Sequence, residues 1–217
     1  MNLNQLSLIR DLALLGLSVI FGVIITFAAL GNKKYEMELQ EHAIQQEQLQ
    51  IKLNSIKTTI VDEIDSYLYM VAPTNKVNAE VFFELCDQYN VDIRFAMAQG
   101  QIESHFATKG TAKKTKSIFN VGAYDGHSAR RQIRNGFGYA DPNDSIEPYL
   151  ILITTTYLVE GKTEQDMMHN YVNNSGMRYA SNVKYERMLR NVYNRINNNT
   201  NLDILLAEYN EYKAIIG

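Results

Sequence analysis

The sequence is short of cysteine, proline and net charge, and each shortage excludes a class of protein. Its 217 residues include one cysteine, Cys86, which excludes an internal disulfide and predicts a buried apolar thiol. The formal net charge of −3 argues against a strong nucleic-acid binder and against an acidic disordered chain. None of the three prolines falls between residues 32 and 66, so a long helix can form there. What remains is one compact domain with an added segment, or two small domains.

A long apolar run lies near the amino terminus. Residues 12–30 are 19 consecutive residues without a charge. As a helix rising about 1.5 Å per residue, this run comes close to crossing a hydrocarbon core of roughly 30 Å. It is longer than the apolar region of a signal peptide; a cleaved signal and a buried core helix are the alternatives. We therefore expect a short segment over 1–11 and a transmembrane anchor over 12–31.

A polar stretch over 32–71 follows, rich in the helix formers Glu, Gln, Lys and Leu. Within it, Leu49, Leu53, Ile56 and Ile60 follow spacings of 4, 3 and 4, which is typical of a coiled-coil seam. The pattern predicts a helical stalk that joins copies of the chain into a homo-oligomer. The alternative is a single amphipathic helix that packs on the domain after it.

The remainder, 72–217, is long enough for one core and begins at a turn signal around Pro73. Helical patterns recur on both sides of a glycine-punctuated stretch over 110–140. They predict an α+β domain that is mostly helical, with a small β or loop lobe in the middle. The four histidines show no metal-ligand spacing and there is no phosphate loop, so no metal or cofactor is expected. The net charge of −3 likewise predicts no nucleic-acid partner.

One carboxylate in this domain has a setting suited to catalysis. Residues 91–104 read as an apolar, small-residue helix, and Glu103 lies at its carboxyl end, just before the glycine-rich stretch. Desolvation there would raise the pKa of the Glu103 carboxyl, as a general acid near neutral pH requires. The alternative is an ordinary solvated glutamate at a helix end.

Four segments in order resemble the bacterial and phage β-N-acetylglucosaminidase family, also described as mannosyl-glycoprotein endo-β-N-acetylglucosaminidase-like. QGQIESHFA at 99–107 is similar to the family's Q-x-x-x-E-S-G-W-G, and SIFNVG at 117–122 to its N-N-L-F-G/N-I. The segments 137–149 and 179–189 are similar to F-R-x-Y-D-S…S-I-x-D-Y and Y-A-T-D-x-x-Y-x-x-x-L. The family's Gly-Trp-Gly is His105-Phe106-Ala107 in this chain.

The resemblance implies a lysozyme-like fold, cleavage of peptidoglycan glycan strands and specific residue roles. Glu103 would protonate the glycosidic oxygen, and Tyr179 would line the cleft beside the reacting sugar. Asp125 is a candidate second carboxylate, with Asp141 or the substrate's own acetamido group as alternatives. The expected substrate-binding residues are Ser104, Phe106, Phe119, Asn120, Tyr124 and Tyr139.

The resulting hypothesis is a membrane-anchored peptidoglycan hydrolase of the N-acetylglucosaminidase type. Its domain would lie on the outer side of the cytoplasmic membrane, or belong to a virion. The alternatives are muramidase or lytic transglycosylase chemistry on the same fold, and a non-catalytic wall-binding or structural module. A basic stretch over 109–134 would border the cleft and hold an anionic wall polymer.

Overall fold

The computed structural model describes most of the chain; at 3–22 and 24–32 it describes the backbone alone. The described residues are 3–121, 133, 138–173, 176, 178–180 and 182–216. The chain divides into two compact units. The first consists of Met1–Leu53 and Ile215–Gly217, and the second is Asn54–Ala214. Eight α-helices lie in the described ranges: α1 Leu3–Val71, α2 Ala79–Gln88, α3 Ile93–Ser104, α4 Ala112–Thr115, α5 Ile146–Leu152, α6 Glu164–Met167, α7 Tyr185–Asn199 and α8 Leu202–Ile216.

The predicted β lobe is wrong for the part of the chain that is described. No strand occurs in these ranges, and the architecture is mostly helical. Where it is described, the beginning of the glycine-punctuated stretch forms α4 and turns. Local backbone hydrogen bonds stabilise them; the Lys116 amide, for example, donates to the Ala112 carbonyl at 2.7 Å. A 3₁₀ turn over Pro142–Ser145 leads into α5, and a π-helical turn over Ile153–Tyr157 ends it.

The transmembrane anchor predicted over 12–31 is also wrong. Among the residues that the structure describes, no helix combines the length and the apolar character needed to cross a membrane. The apolar run is instead one part of α1, a single helix of 69 residues that continues far into polar sequence. Between residues 33 and 48 every side chain of α1 is exposed. The predicted single-pass localisation, with a domain beyond the cytoplasmic membrane, is wrong for the same reason.

The coiled-coil and oligomer predictions gain no support, because the end of α1 packs within its own chain. Ile56, Ile60, Ile64 and Leu68 are all at most 3% exposed and belong to the core of the unit Asn54–Ala214. Burying each of these side chains is worth about 1.5–3 kcal/mol. Two of the four predicted seam residues, Ile56 and Ile60, are therefore covered by their own chain, as expected for the alternative of a single amphipathic helix that packs on the domain.

Helix α3 forms the centre of this unit and packs most extensively against α7. Asp92 caps α3 by accepting a hydrogen bond from the Arg94 amide at 2.9 Å. The residues from Phe95 to Gly100 are all buried. A Cβ at Gly100 would lie only 2.9 Å from the Ile118 side chain, so the missing side chain lets the segment around Ile118 lie directly on α3.

The chain leaves α3 through an unusual turn. His105, Phe106 and Ala107 have φ values of 54°, 57° and 60°, a left-handed conformation that costs an L-residue roughly 1–2 kcal/mol. The turn is held by the Ala107 amide, which donates to Ser104 Oγ at 2.7 Å, and by the full burial of Phe106. The burial of this ring offsets much of the backbone strain.

Replacing Ala107 with glycine should therefore stabilise the protein. We expect Ala107→Gly to raise the free energy of unfolding by about 1 kcal/mol, because glycine adopts positive φ without a Cβ clash. The melting temperature should rise by about 2–4 °C. Urea and thermal unfolding followed by circular dichroism measure both quantities.

The same substitution at Ala207 is the matched control, since Ala207 is exposed inside α8. There glycine should lower the free energy of unfolding by roughly 1 kcal/mol. Equal losses from Ala107→Gly and Ala207→Gly would show that the left-handed turn stores no strain.

Candidate active site

Glu103 is the penultimate residue of α3 and is half-buried. Its carboxylate Oε1 accepts a hydrogen bond from the Tyr185 hydroxyl at 2.8 Å. Its backbone carbonyl accepts a second one from Asn120 Nδ2 at 2.9 Å. Helix α3, the segment after α4 and the start of α7 thus converge on this residue.

Glu103 opens into a pocket of about 280 Å³. The pocket is formed by the last turn of α3, by the chain that follows it up to α4, and by Asn120. Its lining consists of Gln101, Ile102, Glu103, Ser104, His105, Lys109, Gly110, Thr111, Ala112 and Asn120. Glu103 is the one carboxylate in this lining, as far as the residues are described.

Tyrosine rings surround the other side of the Glu103 carboxyl. The Tyr179 ring lies 5.3 Å from that of Tyr185 and 4.7 Å from that of Tyr157, between centroids. Burial, and then the nearby Glu103 charge, raises the pKa of Tyr179. Burial is also the first cause of the raised pKa of Tyr185, followed by the charges of Tyr179 and Glu103. Both hydroxyls therefore stay neutral at physiological pH and can donate hydrogen bonds.

Tyr185 was not among the residues that the sequence singled out for the site. The segment 179–189 contains it, six residues after Tyr179. Tyr185 is the first residue of α7, and α7 packs on α3. This placement brings the Tyr185 hydroxyl to Glu103. The signal was present in the motif, but spacing alone does not show which of 14 tyrosines reaches the carboxylate.

The predicted substrate-binding residues fall into three groups. Asn120 and Ser104 line the Glu103 pocket, although Ser104 is 4% exposed and its hydroxyl donates to the Ile118 carbonyl at 2.6 Å. Phe119 and Phe106 are buried, and the Phe119 ring stacks on Tyr149 with 3.7 Å between centroids.

The remaining predicted residues lie away from the pocket lining or outside the described chain. Tyr139 is half-buried, and its amide donates to the Thr115 carbonyl at 2.8 Å. Tyr124 and Asp125 lie outside the described residues. Asp141 is exposed and caps the turn Pro142–Ser145, accepting from the Asn143 amide at 2.9 Å.

A second pocket, of about 370 Å³, adjoins the turn after α3 and is rich in lysine. Among the described residues, its lining includes Lys76, Lys113 and Lys116 and one acid, Asp141. Lys116 Nζ donates to the Ala140 carbonyl. Phe106, Ala107 and Thr108 line this pocket, while His105 and Lys109 of the same turn line the Glu103 pocket. The turn is thus shared by a carboxylate site and a cationic site.

Comparison with known proteins agrees with the resemblance found in the sequence. A family model described as glucosaminidase, mannosyl-glycoprotein endo-β-N-acetylglucosaminidase, matches residues 79–198, which is more than half of the chain. No curated protein and no solved structure matches. The matched region includes α3, the described residues of the Glu103 pocket and the tyrosines beside it. The chain therefore belongs to the glucosaminidase family, as a glycoside hydrolase that acts on peptidoglycan.

Proposed function

We propose that the protein cleaves the β-1,4 bond after N-acetylglucosamine in glycan strands, with Glu103 as the general acid. The observation that carries this proposal is the half-buried Glu103 carboxyl in a pocket, hydrogen-bonded at 2.8 Å by the neutral Tyr185 hydroxyl. Glu103 gives its proton to the glycosidic oxygen as the bond from that oxygen to the sugar C1 breaks. Water then completes the hydrolysis at C1.

The tyrosines support the acid by stabilising the charge that appears when it acts. Proton transfer converts Glu103 from a neutral acid to a carboxylate. A hydroxyl already aimed at Oε1 strengthens its hydrogen bond as the negative charge develops, which stabilises the transition state more than the ground state. Tyr179, whose ring contacts Tyr185, extends this polar wall beside the reacting sugar.

The second catalytic group decides how the glycosidic bond is cut. Asp125 remains the predicted second carboxylate. If the substrate's acetamido group acts instead, or if Glu103 serves as both acid and base, one protein carboxylate is sufficient. The products show which activity the protein has: a reducing N-acetylglucosamine end indicates glucosaminidase chemistry. A reducing N-acetylmuramic acid end indicates a muramidase, and an anhydro-sugar end indicates a lytic transglycosylase.

Removing the acid should abolish cleavage without unfolding the protein. We expect Glu103→Gln to lower the rate of reducing-end release from purified peptidoglycan at least about a hundredfold, because an amide cannot donate the proton. Glu211→Gln, which neutralises an exposed glutamate in α8, is the matched control and should leave the rate unchanged. Equal rates for both variants would remove Glu103 as the acid. Absence of cleavage by the native protein would favour a binding module.

The lysine pocket supports a role in holding the anionic polymer near the site. Lys76 and Lys113 line it together with Lys116, and Asp141 is the one acid in the lining where the chain is described. Peptidoglycan carries carboxylates on its peptides, and a cationic cleft concentrates such a polymer electrostatically. This attraction acts before the chemical step and so contributes to substrate binding.

Removing two of these charges should raise KM in a salt-dependent manner. We expect Lys76→Gln combined with Lys113→Gln to raise KM severalfold at low ionic strength, with kcat nearly unchanged. The difference should shrink in high salt, where the Debye length falls to a few Å. Lys52→Gln with Lys162→Gln removes the same charge elsewhere and should leave KM unchanged. Equal KM values for the two double variants would exclude the pocket from substrate binding.

A further inference from the structure

A buried amide lies one helical turn before the proposed acid. Gln99 precedes Glu103 by four residues on α3, so the two side chains share a face of the helix. Gln99 is 0% exposed, among side chains that are mainly apolar. An amide in such a place is costly unless each of its polar groups finds a partner. Its partners therefore indicate what the residue contributes.

Those partners are tyrosine hydroxyls that lead to Glu103. The Tyr149 hydroxyl donates to Gln99 Oε1. On its other side, Gln99 Nε2 points to the Tyr185 hydroxyl oxygen at 3.5 Å, and the Tyr185 hydroxyl donates to Glu103 Oε1 at 2.8 Å.

The chain of bonds has a single direction because each hydroxyl has one hydrogen. Since Tyr149 donates to Oε1, the amide is oriented with its nitrogen towards Tyr185. Since Tyr185 then receives a hydrogen from that nitrogen, its own hydrogen is left for Glu103. Buried hydrogen bonds in series also polarise one another, which strengthens the last one.

The beginning of the chain is itself held in place by packing. The Tyr149 ring is 1% exposed and stacks on Phe119 at an interplanar angle of 9°. Phe119 belongs to the segment that lies on α3 beside Gly100, and the next residue, Asn120, bonds the Glu103 carbonyl. The same segment thus supports both ends of the hydrogen-bond chain.

We propose that Gln99 is a positioning residue for catalysis, which fixes the Tyr185 hydroxyl as a hydrogen-bond donor to Glu103. The inference rests on the proposed function of Glu103 as the general acid. Gln99 does not touch the substrate in this role. It sets the proton affinity of the acid through Tyr185, and Tyr149 sets the orientation of Gln99.

The test is the pH profile of kcat/KM for Gln99→Met, which keeps the approximate volume but removes the amide. A general acid must be protonated, so activity falls above its pKa, on the basic limb of the profile. Losing an ordered donor to the carboxylate disfavours the charged form and raises that pKa. We expect the basic limb to move up by about one pH unit, the size of one lost hydrogen bond to a charged group.

Further variants separate positioning from packing. Tyr185→Phe should move the limb by a similar amount, and adding Gln99→Met to it should move the limb no further. Tyr149→Phe, which leaves Gln99 in place, should move it in the same direction and carries the test if Gln99→Met fails to fold. Met97→Ala, a cavity in the same helix, should lower stability without moving the limb.

The outcomes distinguish this proposal from the one on which it rests. If Glu103→Gln is as active as the native protein, the proposed function fails. If Glu103→Gln is inactive but neither Gln99→Met nor Tyr149→Phe moves the limb, the positioning role alone is overturned. Additive shifts from Gln99→Met and Tyr185→Phe would also overturn it, because they would show that the two residues act separately.

Discussion

The close approach of the chain to α3 at Gly100 is the constraint on which the site depends. Because Gly100 has no side chain, Ile118 and Phe106 lie against the helix where a Cβ would be in their way. This contact fixes the segment that contains Phe119 and Asn120, and Asn120 then bonds the carbonyl of Glu103. A packing feature with no polar atom therefore determines where the polar residues of the pocket lie.

The left-handed turn after α3 shows how the same constraint changes the direction of the chain. Three residues with positive φ bring it sharply away from the helix, and the burial of Phe106 beside Gly100 holds them there. The turn separates the pocket with Glu103 from the pocket with Lys113 and lines both. Strain in the backbone is thus stored where the chain lines two pockets, and hydrophobic burial offsets it.

The sequence predicted the helical character of the domain and singled out Glu103, since an apolar helix ending in a carboxylate is a local pattern. The sequence could not assign Tyr185, because the pairing of Tyr185 with Glu103 depends on how α7 packs on α3. The predicted coiled-coil seam through Ile56 and Ile60 gained no support for a similar reason: heptad spacing indicates an apolar stripe but not which surface covers it. The membrane span predicted from residues 12–30 likewise rested only on the length of the run and its lack of charge.

The choice of donor beside Glu103 bears on which protonation state the site favours. An ammonium or guanidinium group paired with the carboxyl would hold it ionised, which is unsuited to an acid. From α7, the donor that reaches Oε1 is a hydroxyl, and burial raises the pKa of Tyr185, so that this hydroxyl stays neutral. A neutral donor stabilises the carboxylate once the proton has left. Before that, it disfavours protonation far less than an ammonium or guanidinium group would. If Glu103 is the general acid, as we propose, this fixed hydroxyl is placed to stabilise the charge that remains on Oε1 after the proton has left.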